Sequence, residues 1–367
     1  MSPVDGRFEK VFVEMEEGHF ELKERLNGFS ENGKILEDRL RQELPAFESW
    51  RFPLMEELGR ITENFDSSQK EVHQEYVRKS RYFHNVQEAP FYWRIINKPN
   101  GYAGDAYMMS FIYQNRFEGN TPFGKLLHKH ALSTKACQSV RNRKDYLAGE
   151  INKLGAGKVL SLAAGPAQEI REVLTGSNGN YRFLALDHDM DALGAFQSAL
   201  QSPYFTYALA NAFQIISGNY MTARPRKSMV RYCFPRRDFK GMRRFFTSIK
   251  YELEYLHKGD YNLIYSAGLY DYIKTFLLDD TKGTIALTKN LFELLSPGGT
   301  LIVGNFNLNN PRDLRFMMEY VYDWQLIYRG KQEMHDFIRG IPENQIKAVQ
   351  LIEEPLGINY FLRVEKN

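Results

Sequence analysis

Over the first 150 residues, apolar side chains recur at three- and four-residue steps. Phe12-Val13, Phe20, Leu22, Leu26, Phe29, Ile35-Leu36 and Leu40 follow this rhythm, with charged residues filling the gaps. That period predicts amphipathic helices. Proline has no amide hydrogen to give, so Pro45 and Pro53 predict breaks that split the pattern into separate helices. The run Gly101-Tyr102-Ala103-Gly104-Asp105 has the chemistry of a turn. From Lys125 to Ile151 a further helical stretch leads onward.

At Lys158 the period changes. KVLSLAA (158–164), YRFLALD (181–187), YFTYALA (204–210), YNLIYSAG (261–268) and TLIVGNF (300–306) are short apolar runs, the signature of buried strands. Helical patterns over 167–174, Met190–Leu200 and Thr281–Leu295 lie between them. Strand alternating with helix predicts a parallel sheet covered on both faces, the doubly wound α/β class. The final stretch differs. AVQLIEE (348–354) and NYFLRVE (359–365) are joined only by PLGI, too short for a helical crossover, so a hairpin and an antiparallel terminal strand are expected. The division is therefore residues 1–150, helical, and residues 151–367, α/β.

Composition adds limits. At 43% hydrophobic and 25% charged, the chain can bury a core and matches ordinary globular usage. No run approaches the ~18–20 apolar residues of a membrane span, and the N-terminus lacks the pattern of a signal peptide. Cys137 and Cys233 form no CxxC pair, so no metal site or disulfide framework is expected. A cytoplasmic protein without a membrane partner fits these features. Charge is unevenly placed. Residues 219–258 hold eleven Lys or Arg against three Asp or Glu, a balance of +8 in a chain of net charge +3. Such a run is a solvated face or an attractor of anions.

Candidate chemistry gathers where the strands end, since ligands of open α/β sheets bind at the carboxyl edge. The first strand runs into Ala163-Ala164-Gly165-Pro166-Ala167, small residues that let backbone approach a ligand. The second ends in Asp187, 22 residues beyond Gly165, with His188 beside it. That spacing suits a carboxylate accepting from a ribose diol. The third ends in Asn211-Ala212-Phe213, an amide to read an adenine edge and a ring to stack on it. The fourth ends in Ser266-Ala267-Gly268, where a transferable group is expected. A dinucleotide wants G-x-G-x-x-G around its pyrophosphate, and only Gly165 is present, while Pro166 removes a donor. S-adenosyl-L-methionine is the better match.

With these residues in view, KVLSLAAGPAQEI resembles motif I of class I S-adenosylmethionine-dependent methyltransferases, and Asp187 resembles their motif II acid. KPNGYAGD (98–105), RNR (141–143), YSAGLYDYI (265–273), SPGGTLIVGNFNLNNP (296–311) and DWQLIYR (323–329) are similar to a narrower group, the 3-hydroxypalmitic acid methyl ester synthases and related aliphatic carboxyl O-methyltransferases. The resemblance covers most of the chain beyond residue 95. It implies a Rossmann-like methyltransferase sheet and a role for Tyr102, Gly104 and Asp105 in closing the cofactor pocket, while the N-terminal amphipathic helices are a candidate lid and homodimer contact. It departs at Ser161, where the motif carries an acid, and at Ala163 and Ala167, where it carries glycines. The basic 219–258 stretch has the character of an insertion.

The expected reaction is in-line methyl transfer to the carboxylate of a small-molecule acid. A carboxyl group with a pKa near ~4 is already ionised at neutral pH and needs no general base. The signature is then an orienting set, for which Tyr113, Arg141, Arg143, Tyr270 and Asn305 are the candidates. Two rival readings remain at this level: ribose methylation of RNA guided by the basic segment, and a non-catalytic binding protein on the same fold. The Ser-Ala-Gly-Leu after the fourth strand argues against nucleic-acid amine methylation, which uses a Pro-Pro-aromatic motif there.

Overall fold

The computed structural model describes residues 4–176, 180–189, 202, 204–218 and 256–367. The expected helix at Met190–Leu200 and nearly all of the basic segment lie outside the described residues. The chain divides into two units: Met1–Gly104, Met108–Val140 and Asn310–Gln325 form one, and Asp105–Tyr107, Arg141–Asn309 and Leu326–Asn367 form the other.

The first unit is helical. Helix α1 spans Gly6–Asn27 and begins where the Asp5 side chain accepts from the amides of Arg7 and Phe8. Its buried stripe is Phe8, Phe12, Met15, His19, Leu22 and Leu26. Helix α2 spans Gly33–Thr62 without interruption and keeps both Pro45 and Pro53 inside it. The expected breaks are therefore wrong. An interior proline costs about 3 kcal/mol. Here Leu36, Leu40, Leu44, Phe47, Arg51, Met55 and Leu58 keep one continuous buried face, and that packing offsets the lost hydrogen bonds. Helices α3 (Ser67–Lys79), α4 (Arg81–Val86), α5 (Pro90–Asn97), α6 (Ala106–Gln114) and α7 (Pro122–Ser133) follow, and α8 (Lys135–Leu154) belongs to the second unit from Arg141 onward. Thr134 separates α7 from α8, where one helix is expected from sequence.

The second unit is built on a seven-stranded sheet. Its strands are β1 (Gly157–Leu162), β2 (Tyr181–Asp187), β3 (Phe205–Leu209), β4 (Tyr261–Ser266), β5 (Leu295–Phe306), β6 (Ile346–Glu353) and β7 (Asn359–Lys366). Their order is β3-β2-β1-β4-β5-β7-β6. The first five are parallel neighbours, while β7 runs antiparallel to both β5 and β6. This is a doubly wound, Rossmann-like sheet closed by an antiparallel strand. The expected hairpin forms, and β7 enters between β5 and the edge strand β6.

Alternate residues of each strand feed opposite cores. Leu160, Leu162, Leu184, Leu186, Leu301 and Val303 pack with Leu287 and Leu291 of α11 (Gly283–Leu294) on one face. Val159, Phe183, Ala185, Leu263 and Tyr265 pack on the other with Leu147 and Ile151 of α8 and Ile170 of α9 (Gln168–Gly176). Both faces are covered, so the strands read as unbroken apolar runs. A short helix α10 (Ala212–Ile216) follows β3, and α12 (Arg312–Phe316) returns to the helical unit. There, a Cβ at Gly59 would fall 2.4 Å from the Arg312 carbonyl oxygen, so only glycine lets α2 and α12 approach so closely.

Candidate cofactor and substrate site

The turn after β1 has an alternating backbone. Ala163, Gly165 and Ala167 have φ of +55°, +53° and +47°, the left-handed region. Glycine adopts it freely, and alanine pays about 1–2 kcal/mol. Two alanines held there mark strain concentrated at a ligand-type loop. Ala164 N–H donates to the Leu186 carbonyl at 3.1 Å, carrying the β1–β2 pairing into the turn. Replacing the half-buried Ala163 with glycine is expected to raise stability by about 0.5–1 kcal/mol, the relieved strain less the added unfolded-chain entropy. Thermal unfolding checks this, and a lower melting temperature would show that the left-handed backbone is not what the alanine endures.

The loop is clasped by the neighbouring strands. Gly165 N–H donates to Asp187 Oδ2 at 2.7 Å, and Asp189 N–H donates to Asp187 Oδ1 at 3.0 Å. Tyr207 on β3 donates its hydroxyl to the Gly165 carbonyl at 2.5 Å. Burial, then the carboxylates of Asp187, Asp189 and Glu169, pushes the Tyr207 phenol far above its ordinary range. Ala210 N–H reaches the Asp187 carbonyl at 2.7 Å, and Ser266 Oγ–H reaches the Leu162 carbonyl at 3.0 Å. The ends of β3, β2, β1 and β4 are thereby tied into one edge. Asp187 is buried, yet a carboxylate offers about four acceptor positions and the two amides take only two. A ribose diol fits what remains. His188 lies beside it, with Nδ1 3.4 Å from Asp187 Oδ1.

Asn211 takes a different part from the one expected. Its Oδ1 accepts from Phe213 N–H at 2.9 Å, capping α10 within a box closed by Gln214. The side-chain oxygen thus serves the helix. Ala212 is half-buried, and Phe213 keeps an exposed ring at the β3 end.

At the β4 end, Arg143 of α8 donates from one terminal nitrogen to the Ala267 carbonyl at 2.9 Å and lies against Gly268. Beyond Gly268 the chain enters a buried knot. Arg329 donates to the Tyr270 carbonyl at 2.7 Å, to Asn305 Oδ1 at 2.5 Å and to the Ile273 carbonyl. Asn305 donates in turn to the carbonyls of Phe306 and Ile327. Asp271 accepts from Phe306 N–H at 2.7 Å, and burial pushes its carboxyl up to about 7 against the pull of that bond and of Arg143 and Arg329.

Two expected orienting residues are therefore engaged elsewhere. Asn305 is fully buried, with its oxygen and its amide group both used in the knot. Tyr270 is fully buried, its hydroxyl 3.0 Å from Thr288 Oγ1 and its ring against Phe337. Both point into the core. Arg141 is half-buried on α8 in the sheet unit, which also holds the buried Asp105. Tyr102, Gly104 and Tyr113, all half-buried, belong to the helical unit.

Sequence reasoning missed Glu169, Tyr207, Asp271 and Arg329. Each sits in a segment already singled out, but nothing local marks a buried charge. Glu169 is buried in the first turn of α9 and accepts from Tyr265 Oη–H at 2.7 Å. Burial raises its carboxyl, opposed chiefly by that bond.

No protein-family profile matches the chain, and no curated protein matches it. Solved structures do. A possible exported protein from Bordetella parapertussis aligns with TM-score 0.47 and 13% identity over 85% of this chain and 94% of that one. An S-adenosylmethionine-dependent methyltransferase from Mesorhizobium loti aligns with TM-score 0.36 and 13% identity over 57% and 91%. The N-methyltransferase NodS from Bradyrhizobium japonicum, solved with S-adenosyl-L-homocysteine, aligns with TM-score 0.37 and 11% identity over 62% and 87%.

Proposed function

We propose that the sheet unit binds S-adenosyl-L-methionine along the joined ends of β1 to β4 and that the protein methylates the carboxylate of an aliphatic acid. The observation that carries the cofactor reading is the Gly165–Asp187 clasp, a small-residue turn bonded to an acid with acceptor capacity to spare. Asp187 would hold the ribose hydroxyls, Phe213 would stack on the adenine, and Ala163 to Gly165 would pass beside the sugar. Bound there, the cofactor supplies a methyl group already activated on sulfur.

The chain's own task is then orientation. An ionised carboxylate needs no proton removed, only alignment at about 3–3.5 Å from the methyl carbon. A guanidinium matches a carboxylate with two parallel hydrogen bonds, and Arg141 is the candidate that remains for it. The basic 219–258 segment favours an anionic acid over a neutral one. The turn after β4 carries Ser-Ala-Gly-Leu, consistent with oxygen rather than amine as acceptor.

Calorimetry with S-adenosyl-L-homocysteine tests the cofactor. Replacing Asp187 with alanine is expected to weaken binding by about 100-fold, the worth of two hydrogen bonds to a charged acceptor. Unchanged affinity would refute the ribose assignment. A methyl-transfer screen across aliphatic acids of varied length and carboxyl count, with ester read by mass, tests the substrate. Transfer to RNA with no transfer to any acid would replace this reading with ribose methylation.

A further inference from the structure

A bound adenosyl sulfonium carries an α-amino acid at its end, and the ammonium there needs an acidic partner. If Asp187 holds the ribose, the amino-acid end lies toward β1 and β4. There β1 ends in Ser161 and Leu162, and neither carries a charge. We propose that Glu169 supplies the missing carboxylate, reaching from the first turn of α9 to receive the cofactor's ammonium group. This rests on the cofactor reading above.

The placement follows from the strand register. Ser161 pairs with Tyr265 across β1 and β4, so both side chains lie on the same face. That face is the one packed by Ile170 of α9, since Val159 and Tyr265 share its cluster while Leu160 and Leu162 turn to the other. The Tyr265 hydroxyl, rising beside Ser161, donates to Glu169 Oε1 at 2.7 Å. The carboxylate is thus held on the face that Ser161 shares, and the phenol and the residue's own amide take two of its roughly four acceptor positions. Two other acids near this edge have their own duties. Asp187 is tied to the amides of Gly165 and Asp189, and Asp271 to that of Phe306.

Arg143 supplies the opposite charge. Its guanidinium has five donors, is fixed at Ala267 and lies against Gly268. An acid from α9 and a guanidinium from α8 complement an α-amino-acid zwitterion. Glu169 also gains from the arrangement. Its burial disfavours the charged form, and an arriving ammonium favours it.

The test is Glu169→Gln, which keeps the shape and an oxygen for Tyr265 but removes the charge. Affinities for two ligands are compared by calorimetry: S-adenosyl-L-homocysteine, and 5′-methylthioadenosine, which lacks the amino-acid end. The substitution is expected to weaken the first by tenfold or more and leave the second within twofold. Equal losses for both, or none, would overturn the assignment. Wild type that binds neither ligand would overturn the cofactor reading and this inference with it. A ligand-side control guards against misfolding of the variant. Wild type should lose at least tenfold in affinity when the amine of S-adenosyl-L-homocysteine is replaced by a keto oxygen. Equal binding of the two would overturn the proposal.

Discussion

Acidification from pH 7 to pH 5 is expected to destabilise the protein by about 2 kcal/mol for each of two buried histidines, His128 and His130, rising to about 3 kcal/mol each by pH 4. Both side chains are fully buried in the helical unit. His130 Nε2 accepts from Arg51 at 3.1 Å, so its proton sits on Nδ1, facing Glu48 Oε1 at 3.1 Å. His128 Nδ1 accepts from Phe91 N–H at 3.1 Å, which places its proton on Nε2. Each ring is neutral, and burial depresses each to about 4; Arg51 adds to this at His130, against the pull of Glu48, and Lys129 adds to it at His128. The unfolded chain binds these protons near pH 6.5 and the folded chain does not. Stability is therefore full above that value and is lost as pH falls from 6.5 toward 4. Urea midpoints at pH 7.5 and 5.0 measure it, and a midpoint that does not move would show the rings to be hydrated.

Replacing Arg329 with methionine is expected to cost about 3–5 kcal/mol, the range for removing one member of a buried charged network. The guanidinium is nearly fully buried and donates to the Tyr270 and Ile273 carbonyls and to Asn305. Without it, three buried oxygens lose their donor, at about 1–3 kcal/mol for each left unpaired. Asp271 also loses a neighbouring cation. Lysine should recover less than half, because one ammonium cannot span acceptors set for a planar fork. Denaturant titration decides it. A loss under about 1 kcal/mol would mean that water replaces the arginine.

Much of the fold was legible because short-range pattern encodes it. The YRFLALD run became β2 over its full length, and the four-residue PLGI link forced the hairpin of β6 and β7. Asp187 and Gly165 were legible as residues of one sheet edge because both close consecutive strands, but the bond between them was not. Tyr270 and Asn305 misled because a polar residue at a strand end looks the same whether it faces a ligand or a buried guanidinium. The partner that decides between those outcomes, Arg329, lies 59 residues from Tyr270 and 24 from Asn305.

The sequence by itself determined the strands, their alternation with helices, the closing hairpin and the small-residue turn with its acid, because each depends on neighbours a few residues apart. Tertiary structure decided the rest. It settled where β7 enters the sheet, that α2 continues through two prolines, and that Glu169 bonds to Tyr265 of β4. These outcomes depend on packing free energies between distant segments, which override local propensity and leave no periodic trace in the chain.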